Sequence, residues 1–235
     1  MGRAAALIFS REGANVVIAD IDNLGGAELV KEIKTLGGEA TFIKTNISNV
    51  REVQEMIDRT VELYGQLDCA LNNAAVEGDI GLTHEYPLDS WDRVMKVNLK
   101  GTWHCMKYEI TQMLKQGSGA IVNTSSTMGL LGGPHMSIYT ASKHAILGLT
   151  KTAAIEYARS GIRINALCAG TMDTPMIKRV RAQNPNEETK QIEDTPLGRQ
   201  ADPKEVAEVA VWLCSNAASF ITGHAMSADG GYVCQ

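Results

Sequence analysis

Short, almost continuously apolar runs alternate with longer stretches of helical periodicity along the chain, and this alternation constrains the fold more than any other feature. The runs are Ala14–Asp20, Ala40–Ile47, Leu67–Ala74, Ala120–Ser125, Arg163–Cys168 and His224–Ala228. Helical patterns fall near Gly2–Glu12, Leu24–Leu36, Val50–Tyr64, Leu88–Lys115, Ile138–Ser160 and Pro203–Ser215. A run such as Ala-Asn-Val-Val-Ile-Ala-Asp has apolar side chains on both faces of a strand, so it suits a sheet covered on both sides. The expected fold is therefore α/β, a doubly wound parallel sheet. At 235 residues it reads as one domain spanning 1–235, long enough to bury a core without disulfide or metal staples. One segment, Met172–Pro196, is polar, weakly periodic and carries Asn-Pro-Asn-Glu-Glu. A long irregular stretch in a compact domain is often a functional lid, which is the expectation here.

Composition narrows the partners. With 22 basic against 27 acidic residues the net charge is -5, which offers no electrostatic reason for nucleic acid or an anionic membrane. The cysteines Cys69, Cys105, Cys168, Cys214 and Cys234 are scattered, without a CxxC pair, and read as reduced thiols. No metal-ligand spacing of His and Cys occurs, so no metal is expected. No apolar run is long enough to span a bilayer. The opening Met1-Gly2-Arg3-Ala4-Ala5-Ala6 fits neither a myristoylation motif nor a signal peptide. The expected compartment is the cytoplasm.

The strongest chemical signal is Tyr139-Thr-Ala-Ser-Lys143 at the start of a helical pattern. A separation of four puts both side chains on one helical face. A nearby ammonium favours phenolate and would lower a phenol pKa of about 10, suiting Tyr139 to general acid–base work. The competing reading is a chance pair on a solvated helix. Context counts against chance: Ser126, thirteen residues earlier, closes the run Ala-Ile-Val-Asn-Thr-Ser-Ser. A hydroxyl at the carboxyl end of a parallel strand faces the crevice where such folds bind ligands. Upstream, Asn98 sits inside a long helical pattern, although Asn is a mediocre helix former. It is either a satisfied core amide, with a kink at Gly101, or part of a water relay to Lys143.

Asn98, Ser126, Tyr139 and Lys143 together resemble the catalytic tetrad of the classical short-chain dehydrogenase/reductase family. Asn72-Asn73-Ala74-Ala75, the segment Cys168–Thr174 and the tail Ile221–Gly231 match that family as well, in the expected order. The resemblance implies an oxidoreductase that interconverts a secondary alcohol and a ketone with a nicotinamide cofactor. It places Gly2, Asp20, Asn46, Ile47, Asn72, Ala74, Gly170 and Thr174 at the cofactor, with Tyr139 and Lys143 beside the nicotinamide ribose. Asp20 ends its strand eighteen residues after Gly2, close to the roughly 20 expected of a ribose-binding acid. It would repel the extra phosphate of NADP, so NAD is expected over NADP. The competing reading of Asp20 is a turn former beside Asp22-Asn23. Asn46 stands where the family usually has Asp.

The pattern also departs from the family. Its members open with an apolar strand and a glycine-rich TGxxxGxG turn, whereas this sequence begins at Met1-Gly2, resembling the last two positions of that turn. The missing strand would lie between Ala14–Asp20 and Leu67–Ala74, leaving unpaired backbone along both. Three explanations follow: a record that starts at an internal methionine, a genuine short form, or an impaired protein acting as a binding or assembly module. The substrate pocket is expected between Glu77–Glu85, Met128–Met136 and the lid, with Met128, Leu130, Leu131 and Met136 as an apolar wall. Lys178, Arg179 and Arg181 would meet an anionic group or simply face solvent. The resemblance further implies a homotetramer or homodimer, built on the central helices and the C-terminal strand.

Overall fold

The computed structural model describes residues 1–183 and 192–234. Among the described residues six strands alternate with helices: α1 Gly2–Arg11, β1 Val16–Asp20, α2 Asn23–Thr35, β2 Ala40–Lys44, α3 Val50–Tyr64, β3 Cys69–Asn72, α4 Leu88–Val94, α5 Thr102–Gln116, β4 Gly119–Thr124, α6 Ser137–Tyr157, β5 Ile162–Ala169, α7 Pro175–Gln183, α8 Pro203–Cys214 and β6 Ala225–Ala228. All pairings are parallel. They form a two-stranded sheet, β1-β2, and a four-stranded sheet in the order β3-β4-β5-β6.

The apolar runs become strands because alternate residues face different helices. Ile121 packs with Met106, Ile110 and Met113 of α5 and with Ala153 and Ala154 of α6. Its neighbours Ala120 and Val122 pack on the opposite face with Val206, Ala210 and Leu213 of α8. Both faces are therefore apolar, and the alternation expected of a half-exposed strand disappears. α3 shows the helical counterpart: Val53, Met56, Ile57 and Thr60 form one buried stripe. Asn49 caps its start by accepting the Arg51 N–H at 3.1 Å. Gly65, at φ 85°, ends it in the left-handed conformation that glycine adopts without a Cβ penalty.

Two expectations need correction. The pattern Leu88–Lys115 is not one α-helix, because Met95–Gly101 between α4 and α5 is wound as a π-helix. The wider turn sits at a close approach: a Cβ on Gly101 would lie 2.8 Å from Ile47 Cδ1. The stretch Met172–Pro196 is not irregular throughout, since its first part forms α7 and Met172 bridges Ala201. Residues 184–191 of the expected lid lie outside the described residues.

β1 and β3 do not pair with each other. Between them opens a cavity of about 840 Å³ that runs from Asn15 and Gln66 to Asp20 and Asn73.

Candidate active site and cofactor cleft

The carboxyl end of β4 and the first turns of α6 bring Ser126, Tyr139 and Lys143 together. Past β4 the chain stays extended at Ser126, whose Oγ accepts the Met128 N–H at 3.1 Å and starts a tight turn. That turn is pressed onto α6: a Cβ on Gly129 would lie 2.3 Å from Ser125 Oγ and 3.0 Å from the Lys143 carbonyl oxygen. Ser125 ties the two elements by donating its hydroxyl to the Lys143 carbonyl at 3.0 Å. Lys143 is 2% exposed, and its ammonium donates to the Thr124 carbonyl at 2.9 Å. Its Nζ lies 5.5 Å from the centre of the Tyr139 ring, one helical turn away as the spacing predicts.

The electrostatics differ from the sequence expectation. Loss of hydration pushes the Tyr139 phenol up to about 12, opposed by a hydrogen bond with Ser126 and assisted by the Glu77 charge. Burial likewise pulls the Lys143 ammonium down to about 8. At about 8 the Lys143 ammonium is still largely charged at neutral pH, one helical turn from the phenol. Desolvation is the largest cause of both shifts, and the lysine donates one hydrogen bond to a backbone carbonyl.

Asn98 is fully buried in the π-turn. Its amide closes a two-way clasp on Val76, accepting the Val76 N–H at 2.8 Å and donating to the Val76 carbonyl at 2.9 Å. It also donates to Ser142 Oγ at 3.2 Å, beside Lys143 in the chain. Here Asn98 is a satisfied core amide that anchors the segment after β3 to α6.

The residues expected at the cofactor divide. Gly2, Asp20, Ile47, Asn72 and Ala74 line one cleft at the carboxyl ends of β1 and β3. Gly2 comes so close to Asn73 that a Cβ would stand 2.9 Å from its amide nitrogen. Asp20 is exposed and accepts the Asp22 N–H at 3.0 Å, so it also forms the turn that launches α2. Asn72 turns inward, donating to Glu109 at 2.9 Å and Asn123 at 3.0 Å. Asn46 organises the loop after β2, accepting from the backbone and hydroxyl of Ser48. Gly170 lies against Asp229, where a Cβ would be 2.6 Å from Cα. Thr174 accepts the Ile177 N–H at 3.4 Å at the start of α7.

A family model described as enoyl-(acyl carrier protein) reductase matches residues 1–233. The cyclohexanol dehydrogenase of Acinetobacter sp. (strain SE19) is 39% identical over 232 residues, 99% of this chain and 90% of that protein. The solved structure of an NAD+-bound xylitol dehydrogenase superposes with TM-score 0.94 at 30% identity, covering 98% of this chain and 94% of that one. A variant of the actinorhodin polyketide ketoreductase, solved with NADPH, superposes at 0.92 with 32% identity, covering 98% and 92%. The chain belongs to the short-chain dehydrogenase/reductase family. It is an oxidoreductase of the Rossmann-like α/β fold, related to enzymes acting on CH–OH groups.

Several residues around this oxidoreductase site escaped the sequence reading. Glu77 is 12% exposed in its side chain and receives Arg179 of α7 through Nε and Nη2. Burial pushes the Glu77 carboxyl up, but Arg179 and the more distant charge of Arg93 outweigh it and hold it below the usual range. Arg179 is thus taken by a pocket-wall carboxylate, and Lys178 by Asp173 at 3.3 Å. Glu109 is 3% exposed, and desolvation pushes its carboxyl up to about 7. Only the Glu77 segment had a signal, as part of the expected pocket wall. A single Glu inside α5 and a backbone carbonyl at Thr124 carry none. Among the described residues no His, Cys, Asp and Glu cluster suited to a metal is present, and no helix is long and apolar enough to cross a membrane.

Proposed function

We propose that this oxidoreductase interconverts a secondary alcohol and a ketone with NAD(H), using Tyr139 as general acid and base. The observation that carries the reading is the convergence of Ser126, Tyr139 and Lys143 at the carboxyl end of β4, beside the cleft lined by Gly2, Asp20 and Ala74. That cleft fits a dinucleotide. It offers a helix N-terminus with a close-packed glycine for the phosphates and a strand-end carboxylate for a ribose. When bound, the nicotinamide supplies or accepts a hydride at the substrate carbon.

The residues of this chain handle the oxygen and its proton. Ser126 holds the substrate oxygen by a hydrogen bond. A phenol held near 12 is fully protonated at neutral pH, so Tyr139 enters ketone reduction in the form that donates. Its O–H bond breaks as the alcohol O–H forms, and the phenolate is then reprotonated from water with Lys143 alongside. Alcohol oxidation runs the same step backwards and needs the phenolate, so it is favoured as pH rises. Lys143, anchored on Thr124, orients the nicotinamide ribose. Met128, Leu130, Leu131 and Met136, with Leu130 and Leu131 38% exposed in the free chain, are proposed to cover an apolar alcohol, a class that includes the substrate named for the Acinetobacter relative.

The test is turnover of cyclohexanol with NAD and of cyclohexanone with NADH, followed by nicotinamide absorbance. Tyr139→Phe should lower turnover by about 10²–10⁴-fold. Equal turnover by that variant would remove Tyr139 from the mechanism. Asp20→Ala should cut the preference for NAD over NADP by about tenfold, roughly 1.4 kcal/mol; an unchanged ratio would leave Asp20 as a turn residue only. The enzyme is expected to act in the cytoplasm and to assemble as a homotetramer or homodimer, which light scattering checks.

A further inference from the structure

The segments that follow β3 and β4 meet at one backbone atom. His135, two residues before α6, has φ 60° and is the one residue other than glycine with a positive φ among the described residues. A residue with a side chain rarely adopts that conformation, and where it persists the surroundings must hold it. Here the hold is on the His135 carbonyl, which accepts the Tyr86 hydroxyl at 2.6 Å and the Gly81 N–H at 3.1 Å. Both donors come from one short loop. Its turn is closed by Glu85, whose carboxylate accepts the Leu82 N–H at 3.2 Å while its own N–H reaches the Leu82 carbonyl at 2.9 Å. His135 is exposed, so packing of its ring does not fix the conformation. The clasp on its carbonyl does.

Tyr139 lies four residues further on. α6 starts at Ser137 with no side-chain cap at Met136, and its first intrahelical bond runs from the Thr140 N–H to the Met136 carbonyl at 2.8 Å. A helix end without a cap frays. That first turn carries Tyr139. The anchors already described act about one turn later, Ser125 on the Lys143 carbonyl and Asn98 on Ser142. Ser142 reaches back only as far as the Tyr139 carbonyl, at 2.7 Å. From the front, the turn is held by the clasp at His135. Burial pushes the Tyr86 phenol up, opposed by the backbone of Gly81 and Ser137 and assisted by the Asp79 charge. The hydroxyl therefore stays protonated near neutral pH, the form that donates, and it sits beside the first residue of α6.

We propose that Tyr86 is a positioning residue for Tyr139: its hydroxyl, through the His135 carbonyl, holds the first turn of α6 in the orientation that aims the Tyr139 phenol at the substrate oxygen. This role rests on the reading of Tyr139 as general acid and base. The strained backbone at His135 is stable only while the clasp is closed. Opening the clasp lets His135 relax to a negative φ and carries the start of α6 with it. A small displacement of a reacting group costs a large factor in rate, whereas the cleft at Gly2, Asp20 and Ala74 is untouched.

The test is Tyr86→Phe, which removes one oxygen and leaves the ring. With cyclohexanone and NADH, kcat should fall about three- to tenfold while the KM for NADH stays within about twofold. Hydrogen exchange at the Thr140 N–H, resolved by residue, should quicken by about tenfold. Adding His135→Gly to Tyr86→Phe should recover most of the loss in kcat, because glycine holds φ 60° without a Cβ penalty. Adding His135→Ala should recover none. The exchange measurement needs no turnover: a chain inactive on cyclohexanone sinks the catalytic reading, while the Thr140 response still decides whether Tyr86 orders the turn that carries Tyr139. Unchanged kcat in Tyr86→Phe overturns the role, and faster exchange beside it would make the clasp purely structural. A fall in kcat with Thr140 exchange unchanged overturns it too, since the hydroxyl would then act in the pocket rather than on α6. Equal recovery by glycine and alanine would give the effect to the imidazole, and strain at His135 would have no part in it.

Discussion

The two halves of the sheet are built from similar apolar runs and end in different states. Val122 of β4 and Ile164 of β5 have no exposure, with a strand on each side and helices on both faces. β3 is half-buried at every position, and β1 grades from buried Val16 to exposed Asp20. Residue type does not explain the contrast, since Val-Val-Ile-Ala is as apolar as Ala-Ile-Val. The difference is the neighbour: a central strand reaches its burial through flanking strands, and β1 and β3 each have one. The proposed catalytic groups lie in the half with β4 and β5, where Ser125, Thr124 and the turn at Gly129 fix Lys143 against α6. The half with β1 and β3 carries the proposed cofactor cleft. If that contrast is functional, perturbing the first half changes chemistry, and perturbing the second changes binding and stability.

The largest expected effect is on the half with β4 and β5. Tyr139→Phe removes only a hydroxyl, so it should lower turnover by about 10²–10⁴-fold while leaving cofactor affinity within a few-fold. A matching loss of cofactor binding, measured by NADH fluorescence, would show that the halves are not separable.

Lys143 tests the cost of burial in that half. Its folded value of about 8 lies below the ordinary 10.5, so folding binds fewer protons between these values. The penalty is full below pH 8 and vanishes as pH rises to 10.5. At 1.36 kcal/mol per unit it is on the order of 3 kcal/mol. Lys143→Met should therefore unfold at higher denaturant than the parent near pH 7, by up to about 3 kcal/mol less the lost bond to Thr124, and lose the advantage near pH 10.5. A variant less stable at pH 7 would mean that the Thr124 bond outweighs desolvation.

Glu109 offers the corresponding test on the open side. Its carboxyl is raised from 4.5 to about 7, so the folded state holds a proton that the unfolded chain has released. The cost is absent below pH 4.5, grows between 4.5 and 7, and stays constant above. Glu109→Gln should thus stabilise by up to about 3 kcal/mol at pH 8 and by little at pH 4.5. A pH-independent difference would place the carboxylate in contact with water through the cavity between β1 and β3.

How much of this was legible follows from what each feature asks of side chains. Strands β4 and β5 were legible because both their faces are apolar, and Tyr139 and Lys143 because one helical turn separates them. The π-turn at Met95–Gly101 was not, because an extra residue per turn asks for no residue type, though Asn98 and Gly101 marked the place. α7 was hidden because Lys178 and Arg179 give it little apolar stripe. Thr124 acts through its carbonyl, which every residue has. The direction of the Tyr139 shift depends on burial, and spacing says nothing of that.

The smallest expected effect concerns the Glu77–Arg179 ion pair, which ties α7 to the segment after β3. Arg179 has a side chain 57% exposed, and Glu77 has one only 12% exposed. A pair with one hydrated member contributes about 1 kcal/mol or less, so Arg179→Ala should scarcely move the unfolding midpoint. Its effect belongs elsewhere. Without Arg179 the opposing desolvation raises the Glu77 carboxyl toward its ordinary range, and α7 loses its bidentate hold on the segment that Asn98 clasps through Val76. Substrate KM should therefore rise about two- to fivefold, in step with a loss of up to about 1 kcal/mol, with kcat nearly unchanged. An effect on kcat alone would mean that the Glu77 charge acts on Tyr139 rather than on α7, joining that segment to the proposed proton transfer.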